Sequence, residues 1–124
     1  MRIFKNKAIS KWAVKEGLAD DALRTAVDEM ERGLIDADLG GHVVKKRVAI
    51  GGRGKSGGTR TLLAYKVDEK AFFVYSFAKN ARANISVDEL KALKCLAKEL
   101  LAYRDSVLAE AIKHGVLIEV ENNE

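Results

Sequence analysis

One stretch restricts the fold more than any other: Ala71-Phe72-Phe73-Val74-Tyr75-Ser76-Phe77-Ala78. Its aromatic and β-branched residues favour a strand, and apolar side chains occupy both odd and even positions. A strand apolar on both sides belongs inside a sheet, covered above and below. Two more strands precede it. Val43 to Ile50 interleaves valines with cations, so at least one of its faces carries charge. Thr59 to Val67 places Thr61, Leu63, Tyr65 and Val67 on one face and Arg60, Leu62, Ala64 and Lys66 on the other. With Asp68-Glu69-Lys70 as a short polar turn, the three strands read as an antiparallel meander.

The flanking segments are helical. Arg2-Ile3-Phe4-Lys5 is β-prone and reads as an opening strand, after which Ile9, Trp12 and Ala13 share a helical face that Gly17 terminates. Asp20 or Asp21 is expected to cap a second helix with an apolar stripe of Leu23, Ala26, Val27, Met30 and Leu34, closed by Gly33. Asp36 to Gly41 reads as a connection. Ser86 and Glu89 match a capping box opening a helix with Leu90, Leu93, Leu96, Ala97, Leu100 and Leu101 on its apolar side. Asp105-Ser106 interrupts it and caps a shorter helix ending at Gly115, and Val116 to Val120 forms a last short strand or a docking arm. The expectation is one α+β domain over residues 1–124, with residues 105–124 as a C-terminal helix followed by that strand or arm.

Charge is distributed unevenly. The formal net charge is +4, yet residues 39–84 hold ten Lys and Arg against Asp68 and Glu69, a local +8. No Asp or Glu occurs between Leu39 and Val67. Cations crowded without local acids repel one another, so the crowding points to an anionic partner. The run Gly51-Gly52-Arg53-Gly54-Lys55-Ser56-Gly57-Gly58 lies in this window, where glycines let backbone N–H donors approach a ligand beside the cations. A hairpin offering cations to a polyphosphate is the first functional reading; a solvated basic loop is the bland one.

Several chemistries fit badly. Gly54-Lys55-Ser56 suggests a nucleotide-binding loop, but the glycine required five places earlier is Ala49, and a strand follows instead of a helix. Ser56 has no nearby acid–base partners for hydrolysis. His42 and His114 are too far apart in sequence to suggest a metal site, and no cofactor is expected. Cys95, the sole cysteine, sits in a helical apolar pattern and reads as a buried small hydrophobe. With no apolar run of about 20 residues and no signal-peptide core at the N-terminus, a cytoplasmic protein without membrane contact is the default expectation.

What remains suits a nucleic-acid backbone. RNA carries its own nucleophile, the 2′-hydroxyl, which attacks the adjacent phosphate once the chain is bent into line. The protein then has to distort the RNA, stabilise charge on the phosphorane-like transition state and assist the leaving 5′-oxygen. Fixed Arg and Lys charges stabilise the transition state, and a lysine crowded by cations can also exchange a proton.

The run Lys45-Lys46-Arg47-Val48-Ala49, the loop Gly52 to Thr61, the segment Phe73-Val74-Tyr75-Ser76-Phe77-Ala78-Lys79-Asn80, and Asn84-Ile85 together resemble RelE/HigB-type toxins of bacterial type II toxin–antitoxin systems. The likeness is greatest to the branch with GRGKSGGxR and FAKNxRxNI motifs, and it extends through the Leu117-Ile118-Glu119-Val120 tail. It implies a small antiparallel sheet with two N-terminal helices and a C-terminal helical segment. It further implies cleavage of messenger RNA in the ribosomal A site without a metal, and a cognate antitoxin protein that covers or distorts the basic surface.

By position, the resemblance assigns Arg60 as a transition-state cation and Arg47 as the better catalytic residue of the preceding strand. Lys55 and Lys79 join them as catalytic candidates, and Lys45, Lys46, Arg53, Asn80 and Arg82 as RNA-binding ones. Several relatives carry a further catalytic arginine, tyrosine or histidine after the third strand, where this chain has Asn80 to Ile85; Tyr103 lies too deep in a helix to substitute. Two alternatives stay open: a ParE-like inhibitor of DNA gyrase, and a toxin-fold protein that binds without cleaving.

Overall fold

The computed structural model describes residues 1–50, 54–78 and 84–121, and of residues 50 and 54–58 the backbone alone. In chain order these residues form β1 (Arg2–Asn6), α1 (Lys7–Glu16), α2 (Asp20–Glu31), β2 (Ala37–Asp38), β3 (Val43–Ile50), β4 (Gly54–Lys66), β5 (Lys70–Ala78), α3 (Val87–Ala102), α4 (Asp105–Lys113) and β6 (Leu117–Val120). The strands make one sheet in the order β2-β3-β4-β5-β1-β6. β3, β4 and β5 are the expected antiparallel meander. β1 lies parallel to β5, and β6 returns antiparallel beside β1, so the tail is a strand and not a free arm. β5 is thereby internal, as its two apolar faces require: Phe72 and Phe73 are both fully buried.

Each face of the sheet has its own core. α1 and α2 bury Ile9, Ala13, Leu23, Ala26, Val27 and Met30 against Val44, Val48, Leu63, Tyr65 and Phe73. On the other side Ala97, Leu100 and Leu108 from α3 and α4 meet Phe4, Val43, Ala64, Phe72 and Val74. Phe4 and Phe72 stack with ring centroids 4.8 Å apart, across the β1–β5 boundary. Arg2 closes the far edge: its guanidinium donates twice to Glu119 at 2.9 Å, tying β1 to β6, and lies over the Phe4 ring.

The caps explain several boundaries. Asn6 accepts from the Ile9 amide to start α1, and Gly17 ends it in the left-handed conformation, φ 71°. Ser86 and Glu89 form the complete capping box of α3. Neither Asp20 nor Asp105 caps a helix. Ala19 and Arg104 hold the cap positions without side-chain bonds, and the aspartates occupy the first turns, where their charge favours the positive end of the helix dipole.

Other differences follow from packing. β4 begins at Gly54, so pairing reaches further into the glycine run than the expected start at Thr59, and Ile50 lies opposite Gly54. Asp36 to Gly41 contains β2, whose two residues pair with β3. Leu34 lies past the end of α2 and is 54% exposed. Cys95 is exposed, because α3 buries only one side and Cys95 falls off it. Tyr103 sits after α3 and not deep within it; its hydroxyl donates to Glu99, and that bond together with burial holds its pKa above the ordinary value.

Candidate RNA-facing site

Strand alternation sorts the cations of β3 onto two faces. Val43, Lys45 and Arg47 point to the α3 side, while Val44, Lys46 and Val48 point towards α1 and α2. Arg60 of β4 stands directly opposite Arg47, and Leu62 opposite Lys45. Like charges directly opposite one another destabilise a sheet, so this pairing needs an external compensation.

Asp36 supplies part of it. Coming from the connection before β2, its carboxylate accepts from the Arg47 amide at 2.6 Å and from Arg47 Nε at 3.1 Å. Burial alone would raise the Asp36 pKa. The two Arg47 bonds, with the charges of Arg47 and Lys46, outweigh it and hold the carboxyl below its ordinary range. A guanidinium has five N–H donors, so Arg47 keeps its terminal nitrogens available while Nε is held. Asp36, Lys45, Arg47 and Arg60 line a shallow pocket of about 220 Å³.

Arg60 has no such partner. Its Nη1 is buried and makes no hydrogen bond among the described residues. A buried donor left unmet costs about 1–3 kcal/mol, more when charged. The strand nevertheless holds Arg60 firmly in place, because its neighbours are anchored on the opposite face. Thr59 Oγ1 donates to the Phe77 carbonyl at 3.0 Å, and Thr61 Oγ1 to the Lys46 carbonyl at 2.8 Å. An arginine fixed beside a cationic pocket with an unmet donor is arranged to receive an oxyanion.

Two aromatics complete this face. The β4–β5 register shifts between Leu62 and Leu63, with Tyr75 opposite Leu62 and Phe73 opposite Leu63, so Val74 is an extra residue on β5. Past the bulge, Tyr75 and Phe77 join the face of Leu62 and Arg60. Their ring centroids lie 6.2 Å apart, and the Tyr75 hydroxyl donates to Glu89 in the first turn of α3.

The expected residues therefore separate. Lys45, Arg47 and Arg60 come together. Lys46 does not join them: it is 4% exposed on the other face, bridged to Glu29 at 3.0 Å and donating to the Leu34 carbonyl at 2.7 Å. Alternation places it between Val44 and Val48 on the buried face, away from Lys45, Arg47 and Arg60. Lys55 lies in β4 by its backbone, while its side chain, together with Arg53, Lys79, Asn80 and Arg82, falls outside the described residues. Sequence reasoning missed Asp36, which stands three places before the acid-free window, and the aromatic pair that a bulge delivers.

No group of three or more His, Cys, Asp or Glu able to hold a metal occurs among the described residues, and no helix there is long and apolar enough to cross a membrane. None of the curated proteins compared with the chain matches it. The family model described as the RelE toxin of the RelE/RelB toxin–antitoxin system matches residues 1–120, almost the whole chain and every element of the sheet. With a six-stranded, mostly antiparallel sheet between two helical layers and a cationic face built on its meander, the chain belongs to the RelE toxin family of toxin–antitoxin systems.

Proposed function

We propose that this toxin cleaves messenger RNA on the ribosome. The observation that carries the reading is the pocket of Lys45, Arg47 and Arg60, with the buried Nη1 of Arg60 unmet. A phosphate entering there meets three cations and supplies the acceptor that Arg60 lacks. The 2′-hydroxyl of the same RNA gives its proton to water and attacks that phosphate, the P–O5′ bond breaks with the 5′-oxygen taking a proton from water, and Arg60 and the free end of Arg47 stabilise charge on the equatorial oxygens. Lys45, on the same face of β3 as Arg47, grips the RNA backbone beside them. Lys55 and Lys79 extend the catalytic set, and Arg53, Asn80 and Arg82 the RNA-gripping one. A cognate antitoxin silences the toxin by occupying this face.

The test is tightly induced expression in bacteria, with messenger-RNA 5′ ends mapped within minutes. Fresh cuts inside translated codons, absent when translation initiation is blocked, are expected. Arg60→Ala should lose the cuts and the growth arrest while keeping its fold and antitoxin binding. Growth arrest with intact messages and broken DNA would transfer the activity to gyrase inhibition. Toxicity retained by a well-folded Arg60→Ala protein would refute the role given to Arg60.

A further inference from the structure

A second group of cations lies on the same side of the sheet, some distance from Arg47 and Arg60. α3 starts beside Tyr75, through Glu89, and ends near Lys70, whose Nζ donates to the Tyr103 carbonyl at 3.2 Å. Midway along, it passes the turn between β2 and β3. There a pocket of about 370 Å³ opens, walled by His42, Lys66, Lys94 and Lys98, with Gly41, Leu101 and Ala102 completing the lining.

The turn is shaped for close approach. Gly40, Gly41 and His42 all adopt positive φ, at 85°, 59° and 65°. A Cβ on Gly41 would stand 2.9 Å from Lys94 Cγ, so glycine there lets the lysine stem lie flat against the backbone. Lys94 is thereby half-buried and held, with less rotamer freedom left to lose on binding. No carboxylate lines the pocket. Lys66 has Glu69 at 3.1 Å, an exposed and weak pair; Lys94 and Lys98 have no ion pair among the described residues. Lys91 continues the row, since positions 91, 94 and 98 follow helical spacing.

β3 connects this pocket to the first one. From His42 to Arg47 is five residues, about 17 Å of extended strand, and Lys45 lies between them on the same face. Cations at both ends and in the middle of one track match a chain of phosphates better than a single anion. We propose that the pocket at His42, Lys94 and Lys98 is a second phosphate subsite, which holds the RNA backbone a few nucleotides from the phosphate at Arg60. The proposal rests on the reading that this chain acts on RNA.

Binding of a labelled single-stranded RNA oligonucleotide to the full-length protein, measured across a salt series, tests it. The double variant Lys94→Gln/Lys98→Gln should bind more weakly at low salt. Its slope of log affinity against log salt should fall by about 1.4, two contacts at about 0.7 each for single strands. Lys94→Arg/Lys98→Arg should keep both affinity and slope, and all variants should unfold at the wild-type midpoint. An unchanged slope in the Gln variant, with a reduced one in Arg60→Ala, would overturn the subsite and leave the RNA reading standing. Loss of antitoxin binding with RNA binding intact would also overturn it, assigning the pocket to a protein contact. Absence of salt-dependent RNA binding by the unaltered protein would overturn both.

Discussion

Replacing Lys46 by Met separates a structural cation from a functional one. Lys46 and Glu29 have side chains only 4% and 14% exposed, and their charged atoms are 3.0 Å apart. Met fills much of the lysine stem's volume, so the change removes the ammonium with little cavity. It takes one cation away from a largely buried carboxylate and the donor from the Leu34 carbonyl. Removing one partner of a buried pair costs up to about 3–5 kcal/mol. An unfolding entropy of about 2.1 cal/mol/K per residue over 124 residues makes the upper end of this a fall in Tm of roughly 19 °C. The assay pairs thermal or urea unfolding with the RNA salt series. Lys46→Met should unfold far more easily yet keep the wild-type salt slope, whereas Lys45→Gln should keep its stability and lose about 0.7 from the slope. Wild-type stability with a reduced slope in Lys46→Met would refute the assignment of Lys46 to the core.

Three further outcomes are expected. The Asp36 carboxyl is held below its ordinary value of 3.8, so its stabilising contribution is complete above that pH and disappears as pH falls through the lowered folded value. Acid unfolding below about pH 4 should therefore be less steep in Asp36→Asn, measured by circular dichroism. The same variant releases Arg47 from a counter-charge and should bind RNA more tightly at low salt. The Tyr65 hydroxyl is buried with no hydrogen-bond partner among the described residues. Tyr65→Phe should accordingly be neutral or stabilising by up to about 1 kcal/mol in urea denaturation, since it removes an unmet polar group.

Most of the architecture is legible from local pattern, because the relevant signals act over a few residues. The two-sided apolar run at Ala71 to Ala78 fixes β5 as internal, and Ser86 with Glu89 fixes the start of α3. What escapes is anything decided by a partner distant in sequence. Arg2-Ile3-Phe4-Lys5 reads as a strand, but nothing local says that it lies parallel to β5, between β5 and β6. That placement comes from the Phe4–Phe72 stack and the Arg2–Glu119 fork, which join segments some 70 and 117 residues apart.

The site shows why a charge count misleads unless it is resolved by face. Within Val43 to Ile50, odd positions carry Val, Lys, Arg and Ala, and even positions Val, Lys, Val and Ile. The even face is the apolar one, so its single lysine has to find an acid inside the protein; Glu29, beside the buried stripe of α2, is that acid. An acid-free window in sequence is thus no guarantee of unpaired charge in space, since α2 and the connection before β2 each send one carboxylate into it. The Val74 bulge is harder to foresee, because apolar residues on both sides of β5 leave its register open to tertiary packing. Along the track from Arg47 to α3, Lys45, Arg60, Lys94 and Lys98 are among the cations without an acid partner among the described residues. A polyanion should be felt most at these four positions, and charge removal at any of them should alter RNA affinity more than folding stability.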